Sequence, residues 1–246
     1  MTPPSYRPWS HSRLETARTC LRRFWLRYVK DYPGYPTEAI VEGKRLHALF
    51  AQAVEENAKK KGNPTAGMTP EEKSAWEEVE PQARMGKSEV FLAVDEDGKP
   101  ATEKERYFLL GHLDVVVQGV GVNVIDWKMG GGLMYDEAQA EVYAILHNAW
   151  YRKWEPTTVC FLFPFAGGDL ARRTKTLFYT PEEVRELFGV KYRPMIYAME
   201  EELGALDPED MNQWEPNPEA CGGCLYWLDC AHKTRRIICQ GKNQAA

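Results

Sequence analysis

The 246-residue chain lacks any apolar run long enough to cross a bilayer, so no membrane-spanning helix and no membrane partner are expected. Its opening residues, Met1 to Ser12, are rich in proline and polar side chains and hold no apolar stretch resembling a signal peptide, so the expected setting is the cytoplasm. Repeats and low-complexity tracts are also missing, which argues against solenoids and disordered segments. Met85-Gly-Lys-Ser88 mimics the tail of a phosphate-binding loop, but Pro81 stands where the first glycine would have to be.

What remains is an ordinary globular composition, 27% charged and 43% hydrophobic, long enough for one large or two small domains. The net charge of −5 argues against a polyanionic partner, but it is unevenly spread. Residues 1–30 carry +6 and residues 231–246 carry +4, which leaves −15 between them. Two basic ends can bind phosphates locally through counterion release while the mean charge stays acidic; solvated helix faces are the alternative. Trp9, Trp25 and Trp227 lie near those ends and are candidates either to stack on bases or to fill the core.

Hydrophobic spacing predicts a first helix from a capping box at Ser12-Arg-Leu-Glu15 through Tyr28, and a second from about Glu38 to Lys60. A further helix is expected over Thr69 to Arg84. Strands are expected over Glu89 to Val94, Arg106 to Val117 and Val122 to Lys128, with a turn at Gly119 to Gly121. A helix over Asp136 to Trp150, strands at Thr157 to Phe163 and Arg173 to Tyr179, and a helix from Pro181 to Leu203 bent at Pro194 complete the reading.

Asp114, and Asp126-Trp127-Lys128 twelve residues later, are expected to close two adjacent strands. Residues two apart on a strand share a face, so Asp126 and Lys128 point the same way. Two carboxylates and an ammonium among apolar residues are costly unless a cation and an anionic substrate lie between them, which is the chemistry of a metal-dependent phosphodiesterase. Taken alone, acid-x-lysine on a strand is more often an ion pair. Gln139 and Tyr143, one helical turn apart, can present their polar tips near Lys128. His47 sits four residues after Gly43 on the apolar face of the second helix, where a lone histidine is more often a core residue.

Taken in order, Gly43-x-x-x-His47, Gly111-x-x-Asp114, Asp126-x-Lys128 and Gln139-x-x-x-Tyr143 resemble the motif series of RecB-type nucleases of the PD-(D/E)XK superfamily. Ser10-His-Ser-Arg-Leu14, Cys20 and the terminal cysteines resemble its iron–sulfur branch, which includes CRISPR-associated RecB-like exonucleases and the AddB nuclease domain. The resemblance spans residues 10 to 232. It implies an α/β fold: a central mixed β-sheet flanked by helices, a restriction-endonuclease-like core over about 38–203. One nuclease domain would cover 1–246, with an Fe–S subdomain built from about 10–30 plus 215–240. It also implies a DNA exonuclease acting on single strands or ends. Its setting would be recombination, repair, phage DNA metabolism or CRISPR adaptation, with a recombination or CRISPR adaptation protein as partner. A catalytically idle DNA-binding or scaffolding module and a redox-sensing iron–sulfur protein are the rival readings.

By the same resemblance His47, Asp114 and Asp126 are metal ligands, with the Trp127 carbonyl as a further oxygen; such a set suits Mg2+ or Mn2+. Lys128 would orient the attacking water and stabilise developing charge, while Gln139 and Tyr143 position the strand. Asp126 stands where many relatives carry glutamate. Glu89 is a candidate to support a metal ligand from behind or to bind a water.

Cys221-Gly-Gly-Cys224 and Cys230 form C-x2-C-x5-C, with Cys20 far upstream. In a cytoplasmic protein such clustering points to metal rather than disulfides, and the spacing alone admits zinc or iron–sulfur. The resemblance favours a 4Fe–4S cluster on Cys20, Cys221, Cys224 and Cys230. Cys160 is expected in the core, and Cys239 is unassigned.

Overall fold

The computed structural model describes residues 6–59, 62–117, 123–151, 155–221, 224–226 and 230. Its elements, in chain order, begin with β1 (Trp9–Ser10), α1 (His11–Thr19), α2 (Leu21–Phe24), α3 (Glu38–Lys59) and α4 (Pro70–Ala83). There follow β2 (Gly86–Val94), β3 (Leu109–Val117), β4 (Val124–Trp127), α5 (Glu137–Tyr151), β5 (Thr157–Leu162), β6 (Thr174–Tyr179), α6 (Pro181–Glu186) and α7 (Arg193–Gly204). The chain divides into two compact units, one from residues 7–11 and 41–194, the other from 1–6, 12–40 and 195–246.

The first unit holds the sheet. β3 pairs antiparallel with β2 along its whole length, from Gly86↔Val117 to Val94↔Leu109. β1 (parallel, at Leu109 and Leu110) and β4 (antiparallel, at Val115 and Val116) pair with β3 as well. Because β2 fills one edge of β3, both must share the other edge, which leaves residues 111–114 between them. β4 then pairs parallel with β5, and β5 antiparallel with β6, so the sheet is mixed.

Apolar alternation on these strands builds a core against α3 and α4. Val115, Ile125, Trp127, Cys160 and Leu162 cluster with Phe50, Val54, Trp76 and Val79. The Phe50 ring meets Trp76 and Trp127 edge-on, with centroids 5.3 and 5.5 Å apart. α5 covers the other face, where Gly111 makes room for it: a Cβ there would lie 2.8 Å from Leu146 Cδ1. Residues 111 and 115 would share one face of a regular strand, yet Gly111 meets α5 while Val115 joins the α3/α4 cluster. The strand therefore rolls over near Asp114.

In the second unit the expected single first helix is broken. It starts at His11, so Ser12 lies inside the helix, and Glu15 accepts a bond from Thr19 Oγ1 (2.9 Å). Cys20 is extended and its Sγ caps α2 by accepting the Arg23 N–H at 3.4 Å. A π-helical turn, Trp25–Val29, follows. Trp9 and Trp25 are core residues, 0% and 7% exposed, and the Trp25 indole donates to the Pro208 carbonyl, so neither is a free stacking platform. Several N-terminal cations are likewise engaged: Arg22 is buried on the Trp214 carbonyl (2.7 Å), Arg13 lies over the Tyr28 ring and Lys30 pairs with Glu209.

Other boundaries shift for local reasons. Lys104–Arg106 is a 3-10 turn, so β3 begins at Leu109 and Asp114 lies inside the strand rather than at its end. The helix expected over 181–203 is interrupted by π-helical Leu187–Tyr192, immediately before Pro194, whose missing N–H disturbs the regular ladder. Met85-Gly-Lys-Ser88 runs into β2 and forms no loop. The Gly119–Gly121 turn, Trp227, Cys239 and the basic residues of 231–246 lie outside the described residues.

Phe50→Ala should cost about 3–5 kcal/mol of stability. Chemical denaturation of the variant would measure it.

Candidate active site

Asp126 is 3% exposed, on the penultimate residue of β4. A carboxylate buried this far must find donors or lose its charge. Its Oδ1 accepts from Gln139 Nε2 (2.9 Å) and from the Tyr143 hydroxyl (3.2 Å), both on α5. Its Oδ2 lies 2.7 Å from the Lys128 ammonium, a buried ion pair. Gln139 closes the network, accepting from Lys128 Nζ at 2.7 Å and donating to Tyr143 at 2.8 Å. The four side chains expected to act together thus form one ring of bonds, with α5 spacing its glutamine and tyrosine by one turn.

Burial, and then the neighbouring Asp114 charge, push the Asp126 carboxyl up to about 6, against the pull of Lys128 and His47. Burial and the same two carboxylates raise the Tyr143 phenol well above its ordinary value, which keeps it a hydroxyl that can donate.

Asp114 faces the second group. Its Oδ2 accepts the Trp127 backbone N–H at 2.8 Å, taking the place of a ladder carbonyl where β3 and β4 no longer pair, and lies 3.3 Å from His47 Nδ1. Burial opposes a charge on His47, but the hydrogen bond to Asp114 and the fields of Asp114, Asp126 and Glu89 outweigh it and raise the imidazole above its ordinary value. His47, Asp114 and Glu89 line a groove of about 650 Å³ along α3 that Lys44, Gln52 and Glu55 also border.

Two carboxylates and an imidazole are a donor set whose chemistry suits a hard divalent cation. Among the described residues, however, no three His, Cys, Asp or Glu side chains are arranged to hold a metal ion. The carboxylates are instead closed onto Lys128, His47 and the Trp127 amide.

The cysteines gather in the second unit. Cys20 Sγ accepts the Asn217 N–H at 3.3 Å, and Cys221 Sγ donates to the Asn217 carbonyl at 3.6 Å, so one residue bridges the two ends of the chain. Burial raises the Cys230 thiol, with Cys20, Cys221 and Cys224 adding to it and Arg22 opposing. None of the described cysteines is in a disulfide. Cys160 lies apart, buried on β5 beneath Thr176.

The sequence matches the family model of the PD-(D/E)XK nuclease superfamily over residues 8–231. The chain belongs to the PD-(D/E)XK nuclease superfamily. Membership implies a nuclease with DNA as its substrate, in a family that typically uses Mg2+ or Mn2+. A solved structure described as "Crystal structure of SSO0001" is similar over 92% of this chain and 86% of that one, at 15% identity and a TM-score of 0.43. No curated protein matches the chain. Among the described residues, no helix of this PD-(D/E)XK protein is long and apolar enough to cross a membrane.

The motif residues of the superfamily member fall into two adjoining sets, Asp126/Lys128/Gln139/Tyr143 and His47/Asp114, joined through the Trp127 amide. Sequence spacing gave no sign of that amide clamp, nor of the backbone at Glu89, which turns to φ +49° within β2.

Burial pushes the Cys160 thiol up to about 11. Ellman's reagent at neutral pH should therefore leave Cys160 unmodified until the protein is unfolded, as peptide mapping would show. Tyr143→Phe, which removes one donor from Asp126, should cost about 1 kcal/mol in denaturant unfolding.

Proposed function

We propose that the protein is a Mg2+- or Mn2+-dependent deoxyribonuclease that degrades DNA from single strands or ends. The observation that carries this reading is the closed ring of Asp126, Lys128, Gln139 and Tyr143 set beside Asp114 and His47. A structural ion pair would need Asp126 and Lys128 alone; it gives no reason for a second carboxylate and an imidazole on the adjoining groove.

His47, Asp114 and Asp126, with the Trp127 carbonyl, would hold the divalent cation, which supplies Lewis-acid polarisation of the phosphate and acidifies a bound water. Lys128 is held by Gln139 and Asp126, so its ammonium is fixed in place to meet negative charge developing on phosphate oxygens. Gln139 and Tyr143 fix the Asp126 carboxylate from the α5 side and orient the strand being cut.

The four cysteines Cys20, Cys221, Cys224 and Cys230 would hold a 4Fe–4S cluster, zinc being the weaker alternative. The Asn217 bridge and the mutual fields at Cys230 support a shared site. Such a cluster would be structural, cross-linking two segments about two hundred residues apart. In the chain-entropy treatment of crosslinks that adds on the order of 5 kcal/mol. Recombination, repair, phage DNA metabolism and CRISPR adaptation are the settings in which such an enzyme would work.

Labelled single-stranded DNA with Mn2+ tests the catalytic reading. Wild type should digest it, and Asp114→Asn and Lys128→Ala should each lose about 100- to 1,000-fold in rate; equal rates in all three would defeat the assignment. Purified protein should absorb in the visible as a brown solution. Cys221→Ser should lose that colour together with thermal stability and DNA binding, and an unchanged melting temperature in a colourless variant would sink the structural cluster.

A further inference from the structure

Phe161 on β5 is in register with Asp126 on β4 and with Lys175 on β6. Directly paired strand residues point to one face, so these side chains form a row from the candidate site toward the β6 edge of the sheet. Ring contacts fill that row. The Lys128 ammonium lies over the Phe161 ring, 5.0 Å from its centroid. The Tyr135 ring packs on Phe161 with centroids 5.5 Å apart and planes tilted by 34°. The Lys175 ammonium lies over the Tyr135 ring at 5.2 Å. Phe161 is fully buried, whereas Tyr135 and Lys175 keep part of their surface in solvent.

The segment from Lys128 to Tyr135 adds an apolar component. Its near stem is fixed where the Lys128 N–H donates to the Leu162 carbonyl and Met129 packs on the α3/α4 core. Its far stem is held by Tyr135 on Phe161, and by Asp136, which accepts the Ala138 N–H at 2.9 Å where α5 begins. Between the stems, Gly130, Gly131 and Gly132 have open space where a Cβ would stand. Leu133 and Met134 follow, 51% and 86% exposed. Single apolar side chains scattered on a surface need no explanation. These two are consecutive, on a tip anchored at both ends, and the near anchor is the lysine of the site itself.

We propose that Lys175 and the Leu133–Met134 tip form a subsite for the nucleotide beside the bond being cut, Lys175 meeting its phosphate and the tip packing on its base. The proposal rests on the nuclease reading and extends it from the reacting bond to the strand next to it. A single strand presents charged phosphates and apolar base faces in alternation, and the surface beyond Lys128 offers a cation and apolar side chains together. Asp126 balances Lys128, whereas among the described residues no acid pairs with Lys175. A purely apolar partner would match only the tip, and an acidic one only the lysine. Base faces are open to such packing only where the strand is unstacked, so the subsite favours single strands over duplex.

Fluorescence anisotropy of a labelled oligothymidine, with Ca2+ in place of Mn2+ to hold cutting back, reads this subsite separately from hydrolysis. Lys175→Met keeps an apolar stem over Tyr135 and removes the charge. It should weaken the Kd about three- to tenfold and reduce the slope of log Kd against log salt by about 0.7, the share of one phosphate on a single strand. Lys175→Arg should restore both. Wild-type Kd and slope in Lys175→Met would overturn the assignment, and so would equal losses in the Met and Arg variants. The double substitution Leu133→Ser, Met134→Ser should bind oligothymidine about tenfold more weakly and an abasic strand as tightly as wild type. Equal losses on both strands would overturn packing of the tip on a base. Strand binding that responds as expected, with no digestion once Mn2+ is supplied, would defeat the nuclease reading alone; wild type that binds no strand would overturn both.

Discussion

A charged carboxylate removed from water governs the architecture of the sheet unit. Asp126 lies at 3% exposure, and its neighbours are arranged around that fact. α5 must approach closely enough for Gln139 and Tyr143 to reach Oδ1, so the strand beneath it carries glycine at 111. Lys128 must follow at two residues' distance to share a face with the acid, and it does so with Gln139 holding its other side. Removing any one partner leaves a buried polar group unsatisfied, which is why the ring behaves as a unit rather than as a set of separate contacts.

The same charges let the protein fold before any cation arrives. Lys128 and His47 offset the two acids, and the Trp127 amide satisfies an oxygen of Asp114, so the site is stable in a closed form. The N-terminal arginines behave similarly in the other unit. Arg22 is spent on a backbone carbonyl and Arg13 on aromatic faces, so the formal charge of that segment overstates what is available to a polyanion.

Much of the sheet and the grouping of Asp126, Lys128, Gln139 and Tyr143 could be read from spacing, because period-two alternation and a one-turn Gln/Tyr pair are local signals. Asp126-x-Lys128 follows from strand geometry, and Gln139 with Tyr143 from helical geometry. What escaped was non-local or conformational. Asp114 was read at the end of a strand, since nothing in the sequence shows that β1 and β4 share one edge of β3 and leave a gap there. The break at Cys20 was hidden because Leu21 and Phe24 keep a helical rhythm across it; the cap that resets the helix is a thiol, a weak acceptor with no sequence signature. Trp9 and Trp25 were open to either fate, since basic neighbours suggest a surface while large aromatics favour the core, and tertiary packing buried both. The left-handed backbone at Glu89 went unseen because glutamate, unlike glycine or asparagine, carries no signal for that conformation.

Asp114 stands in for a main-chain carbonyl where two strands part, so the continuity of the sheet passes through one side chain. A lineage that gave up cutting DNA would remain bound to an acceptor at this position, asparagine or aspartate, for reasons unrelated to hydrolysis. Its persistence among relatives would therefore be poor evidence of activity. The ammonium at 128 has no such part in the seam between the strands; its loss would instead leave Asp126 and Gln139 each short of a partner.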